Sequence, residues 1–110
     1  MSRSPNELVQ GQLEAYNARD LERFCSYFSA DVRVYDAQTR ELLFEGMTAF
    51  RERYTQTFAN EQLHCHLVNR IVHNHVVIDQ ELVTGMQEEP VHAVAIYHTQ
   101  DGWISEVLFY

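Results

Sequence analysis

Three kinds of side chain in this chain are spaced for chemistry: an acid that closes an alternating strand, phenols on aromatic helices, and paired histidines. Asp36 ends the segment Val32-Arg33-Val34-Tyr35-Asp36. An aspartate at the end of a strand, beneath an aromatic-rich helix, can be stripped of water and raised toward a useful general base. It also opens a polar stretch, Asp36-Ala37-Gln38-Thr39-Arg40, where it would be a plain turn residue paired with Arg40. Tyr16 follows Gln12 by one helical turn on the same face, and Tyr54 lies on a later helix. Phenols placed this way donate to an enolate or a ligand carbonyl; otherwise they pack as amphipathic core residues with their hydroxyls at the rim.

The six histidines fall into pairs. His64 and His66 share one strand face, His92 and His98 share another with Val94 and Ile96 between them, and His73 and His75 flank a turn. A His-x-His pair with a third histidine or Glu81 is a pattern that can converge on zinc or iron. No HExxH or two-histidine, one-carboxylate spacing accompanies it, so no metal is expected. Asp79 and Glu81 alternate onto one face with Val77 and Val83, either as an acid–base pair or as cross-strand partners of a base such as Arg70. Trp103, Val107 and Phe109 alternate along the last strand and would form the apolar wall of a pocket or plain core. Cys25 and Cys65 match no CxxC motif and read as reduced core residues. Neither a Gly-x-Ser-x-Gly elbow nor a phosphate-cradling glycine loop occurs, so no nucleotide cofactor is expected.

These residues need a scaffold, and the hydrophobic period supplies one. Ser4, Pro5 and Glu7 form a helix start with a capping box, and Leu8, Val9, Leu13 and Tyr16 form its stripe. Asp20 caps a second helix that carries Leu21, Phe24, Cys25 and Phe28 inward. After strand Val32–Asp36 and the short strand Leu42–Phe44, Gly46 opens a third helix with Phe50, Tyr54 and Phe58 one turn apart. Four strands follow, at Leu63–Val72, Val76–Met86, Val91–Thr99 and Trp103–Tyr110, the last two joined by an Asp101-Gly102 hairpin. The expected fold class is α+β, three N-terminal helices on a curved antiparallel sheet, with residues 1–110 as a single domain.

Composition narrows the partners. The chain has 110 residues, 45% of them hydrophobic, and a formal net charge of −8. That sign disfavours nucleic acid and anionic membrane surfaces. With no long apolar run and no export signal, a cytoplasmic location is expected. The strand from Val91 is apolar on both faces, and the helices cover only one. A second copy would cover the other, which predicts a homodimer through the outer sheet face.

Tyr16-Asn17-Ala18-Arg19-Asp20-Leu21 and Phe28-Ser29-Ala30-Asp31-Val32-Arg33-Val34-Tyr35-Asp36 resemble the opening of the NTF2-like superfamily, which includes SnoaL-like proteins and ketosteroid isomerases. The stretches Gly46 to Tyr54, Asn69-Arg70-Ile71-Val72 and Asp101-Gly102-Trp103-Ile104 are similar as well. The resemblance implies a cone with a pocket between concave sheet and helices, and frequent dimers. It implies that Asp36 is the general base, that Tyr54 is an auxiliary tyrosine, and that His92 and His98 face the pocket. It also sets Gln12 and Val94 where ketosteroid isomerases carry their oxyanion donors. An amide is a weaker donor than a phenol and a valine donates nothing, so efficient steroid isomerisation is not expected. The expected ligand is a small, mostly apolar, carbonyl-bearing molecule. It is either turned over by an isomerase-like site of Asp36, Tyr16 and Tyr54, with Gln12 as a further donor, or held by a non-catalytic binding or dimeric interaction domain.

Overall fold

The computed structural model describes residues 3–110. Helices α1 (Pro5–Ala18) and α2 (Leu21–Cys25) are followed by strands β1 (Phe28–Asp36) and β2 (Leu42–Glu45) and by helix α3 (Met47–Phe58). Strands β3 (His64–His73), β4 (Val76–Thr84), β5 (Val91–Gln100) and β6 (Trp103–Phe109) complete one six-stranded sheet, in the order β2-β1-β6-β5-β4-β3. The architecture is α+β, with the helices packed on one face of the sheet.

Local chemistry explains the boundaries. Ser4 Oγ accepts the Glu7 N–H at 3.2 Å and Glu7 Oε1 accepts the Ser4 N–H at 3.0 Å, so both ends of the capping box are closed. Arg19 ends α1 in the left-handed region at φ 54°, and Asp20 Oδ1 then accepts the Arg23 N–H to start α2. Helix α2 is shorter than its apolar spacing predicts. It stops at Cys25, because the Tyr27 carbonyl accepts the Ile104 N–H at 2.9 Å and draws Phe28 into the sheet.

The sheet departs from a purely antiparallel one at a single junction, where β1 lies parallel to β6. Three bulges interrupt the antiparallel ladders, one of them between β1 and β2, where Val34 pairs with Phe44 and Tyr35 with Leu42 and Leu43 is left extra. Between β5 and β6, His98 pairs with Glu106 and Thr99 with Ile104, which leaves Ser105 as an extra residue. Between β3 and β4, Leu67 pairs with Glu81 and Asn69 with Gln80, which leaves Val68 extra. One unpaired residue reverses the face of every side chain beyond it.

Phe24 holds the helical layer to the sheet. Its ring centroid lies 4.9 Å from Phe28, 5.6 Å from Phe50, 4.7 Å from Tyr54 and 5.2 Å from Phe58, which joins α2, β1 and α3 in one aromatic cluster. Polar ties fix α1 to the far side of the sheet. Asn17 brackets the Cys65 backbone, Oδ1 accepting its N–H at 2.8 Å and Nδ2 donating to its carbonyl at 2.9 Å. Arg70 pairs with Asp79 through two bonds of 2.7 and 2.9 Å and donates to Asn6 and Gln10 on α1. None of the described helices is long and apolar enough to cross a membrane.

The outer face of the sheet has its own order. Register places Ile71, Ile78, Ile96, Leu108 and Tyr35 in one row across five strands. His66, Leu82 and His92 run along one side of that row, and His73, Val76 and His98 along the other.

Candidate functional site

Between the concave sheet face and the helices lies a cavity of about 330 Å³. Helix α1 contributes Gln12, Leu13 and Tyr16, helix α3 contributes Arg53, Tyr54 and Thr57, and β5 contributes Val91, Ala93 and Tyr97. Cys65, Glu81, Val107 and Phe109 come from β3, β4 and β6, with Leu43, Phe44, Met86 and Tyr110 also in the lining. The wall is mostly apolar, with a few converging polar groups, which is the character of a small-molecule site.

Glu81 is the carboxylate in that wall. It is only 6% exposed, and no cation or amide among the described residues pairs with it. Loss of water raises its pKa to about 7, and the charge of Asp79 adds to the rise. The Cys65 thiol beside it and the Arg70 guanidinium pull the other way and do not cancel the effect. The space over Glu81 exists because its cross-strand neighbour on β5 is Ala93, which is too small to fill it.

Three phenols complete the polar set. Burial drives Tyr16, Tyr54 and Tyr97 well above the ordinary tyrosine range, and the charge of Glu81 adds to the rise at each. All three hydroxyls are therefore protonated donors at any physiological pH. Gln12 donates through Nε2 to the Val9 carbonyl at 3.0 Å and to Tyr97 Oη at 3.2 Å. Tyr97 thus accepts from the amide and keeps its own proton to donate.

Five of the ten expected site residues line this cavity: Tyr16, Tyr54, Gln12, Val107 and Phe109. The other five do not. Alternation puts Asp36 on the face of Val34, but at the last position of β1, and its Oδ1 accepts the N–H groups of Gln38 and Thr39 at 2.9 and 3.1 Å. It caps the turn; Arg40 meets it through its backbone N–H, not through an ion pair. His92, Val94 and His98 occupy the outer face, because Ala93, Ala95 and Tyr97 take the inner one. Trp103 is 44% exposed, since the bulge at Ser105 turns it away from the face of Val107, and the Arg3 guanidinium stacks over it at 5.0 Å. The ring centroids of His64 and His66 are 4.3 Å apart. Among the described residues, no group of three histidines, cysteines or acids is placed to hold a metal ion.

Tyr97, Glu81 and Cys65 are absent from the expected site, yet the first two were readable. Tyr97 shares its strand face with two alanines, and small residues beside a large one leave room for a ligand. Glu81 alternates with apolar neighbours, and only one of the two acids on that face can pair with Arg70.

Residues 9–107 match the family described as the SnoaL-like domain. The chain belongs to that family. No curated protein matches it in sequence. Among solved structures, this SnoaL-like domain is similar to an uncharacterised cystatin-fold protein from Novosphingobium aromaticivorans, with 25% identity, a TM-score of 0.90 and 99% of each chain covered. It is similar to a candidate ketosteroid isomerase from Kribbella flavida at 20% identity and a TM-score of 0.82, covering 96% of this chain and 75% of the other. A candidate polyketide cyclase from Pseudomonas putida shares 21% identity and a TM-score of 0.77, with 99% of this chain and 92% of the other covered. The fold of the SnoaL-like domain is thus that of the NTF2-like superfamily.

Proposed function

We propose that the protein is a small-molecule proton-transfer catalyst of the isomerase or cyclase kind, acting on a mostly apolar, carbonyl-bearing substrate, with Glu81 as the group that carries the proton. The carboxylate of Glu81, buried in the cavity wall without a cation partner among the described residues, is the observation that supports this reading. A general base works best with a pKa near the operating pH, and burial raises Glu81 to about 7. Glu81 takes a proton from the carbon next to the carbonyl, and the electron pair of that C–H bond moves to form an enolate. The phenols of Tyr97, Tyr16 and Tyr54 offer hydrogen bonds to the enolate oxygen. Where a β,γ double bond is conjugated with the enolate, return of the proton from Glu81 to the γ-carbon completes an isomerisation; where the enolate carbon instead attacks a second carbonyl, a ring closes and the new alkoxide takes the proton back from Glu81.

Exchange of the α-protons of phenylacetone in deuterated water, followed by NMR, tests this directly. The wild-type protein is expected to accelerate exchange, Glu81→Gln to abolish the acceleration, and Asp36→Asn to retain it. Acceleration that survives in Glu81→Gln and disappears in Asp36→Asn overturns the assignment. Binding without exchange by the wild type leaves a ligand-binding domain in its place.

The apolar row on the outer sheet face supports a second statement about assembly. Ile71 is exposed, and Ile78, Ile96, Leu108 and Tyr35 are partly so. Such a continuous patch marks an interaction surface, and a second copy of the same face fits it by two-fold symmetry.

A further inference from the structure

We infer that Arg53 makes the cavity an anion-binding subsite, so that its ligand is an amphipathic organic acid with its carboxylate at Arg53, its apolar body along the aromatic wall and its reactive end at Glu81. The last element rests on the proposed role of Glu81; the anion subsite itself does not.

Among the described residues, Arg53 is the only basic one in the cavity lining. All eight basic residues of the chain are arginines, against sixteen acids. Several of the others are committed elsewhere. Arg70 is paired with Asp79, Arg51 with Glu22 and Arg23 with Glu14, while Arg19 donates to the Leu63 carbonyl and Arg3 stacks between Tyr27 and Trp103. The Arg53 guanidinium has no acid partner among the described residues and sits 5.8 Å from the centroid of the Phe44 ring, itself part of the wall. Arg53 is exposed to solvent, and from the cavity lining its charge opposes the much larger effect of burial on the Tyr54 phenol. A planar guanidinium over an aromatic ring offers a bidentate fork to a carboxylate.

The two charges also orient what enters. A carboxylate turned toward Glu81 would meet a second acid in a water-poor wall, whereas at Arg53 it meets an unpaired cation. A protein of net charge −8 repels anions at long range. The positive group in the cavity lining therefore acts as a local selector.

The test displaces the neutral dye phenylnaphthylamine from the cavity with decanoate or decanol, which share one apolar chain. In the wild type at pH 7 and low salt, decanoate is expected to displace the dye at ~10-fold lower concentration than decanol, the effect of one charge-assisted contact. In Arg53→Gln that preference disappears, the two compounds displacing the dye at equal concentrations. Arg53→Lys retains most of it, and Arg33→Gln on the outer sheet face leaves it intact. Equal displacement by the two compounds in the wild type, or a preference that persists in Arg53→Gln, overturns the subsite. Neither result depends on turnover, so loss of α-proton exchange in Glu81→Gln stands or falls separately.

Discussion

Asp79 and Glu81 project from the same face of β4, and Arg70 pairs with the first and not the second. One acid is thereby a structural anion, and its neighbour is left to titrate in the cavity. The raised pKa of Glu81 has a thermodynamic consequence. Between the unfolded value of 4.5 and the folded value of about 7, the native state holds more protons than the unfolded state. Stability contributed by the protonated form is present below the lower value and is lost as pH rises to the upper one. The full loss is about 3 kcal/mol, from the linkage of ~1.4 kcal/mol per pKa unit. Glu81→Gln is therefore expected to raise the melting temperature at pH 8 and to change it little at pH 5, as scanning calorimetry at the two pH values would show.

The Arg70–Asp79 pair should behave in the opposite way. Asp79 is 0% exposed, and its partner carries four hydrogen bonds to Asp79, Asn6 and Gln10. Removing one member of a buried pair strands the other, at a typical cost of ~3–5 kcal/mol. Asp79→Asn is expected to lower the urea midpoint steeply, while Glu22→Gln, which breaks the exposed pair with Arg51, leaves it almost unchanged. Equal effects from the two variants would contradict the role given to burial.

Asn17 offers a cleaner stability test. Its side chain satisfies both backbone groups of Cys65, so Asn17→Ala leaves a donor and an acceptor short of partners. The expected loss is ~2–4 kcal/mol by the cost of unsatisfied groups. Hydrogen exchange should report it first at the Cys65 amide.

Much of the fold was legible because the motif residues do structural work. Asn17 brackets β3, Arg19 turns the chain in the left-handed region, and Asp20 caps α2, so the segment that resembles the family encodes a joint rather than a reaction. The cavity tyrosines on α1 and α3 were readable from helical spacing for the same reason. Strand faces were harder. Alternation shows which residues of β5 share a side but not which side faces the helices, and the face of His92 and His98 proves to be the outer one. Trp103 was misplaced by a different cause, since a one-residue bulge at Ser105 leaves no mark in the hydrophobic pattern. Asp36 is a case of competition: its carboxylate had a local turn within reach and took it.

The outer sheet face yields the last prediction. Ile96 lies at the middle of the five-strand apolar row. If two copies associate through the proposed face, a charge at its centre weakens the association, so Ile96→Glu is expected to shift sedimentation from dimer to monomer while leaving the circular dichroism spectrum intact. A wild-type protein that sediments as a monomer at micromolar concentration would remove the interface.

The parallel contact of β1 with β6 joins Val34 to Val107 and Tyr35 to Leu108, partners far apart along the chain. Every other strand pair can zip up from a nearer neighbour, but this seam must wait for a long loop to close. The chamber has walls on both sides of the seam, so a ligand has nowhere to settle until it is sewn. Acquisition of binding should therefore trail the appearance of helix and hairpin signals during refolding, as the final cooperative event.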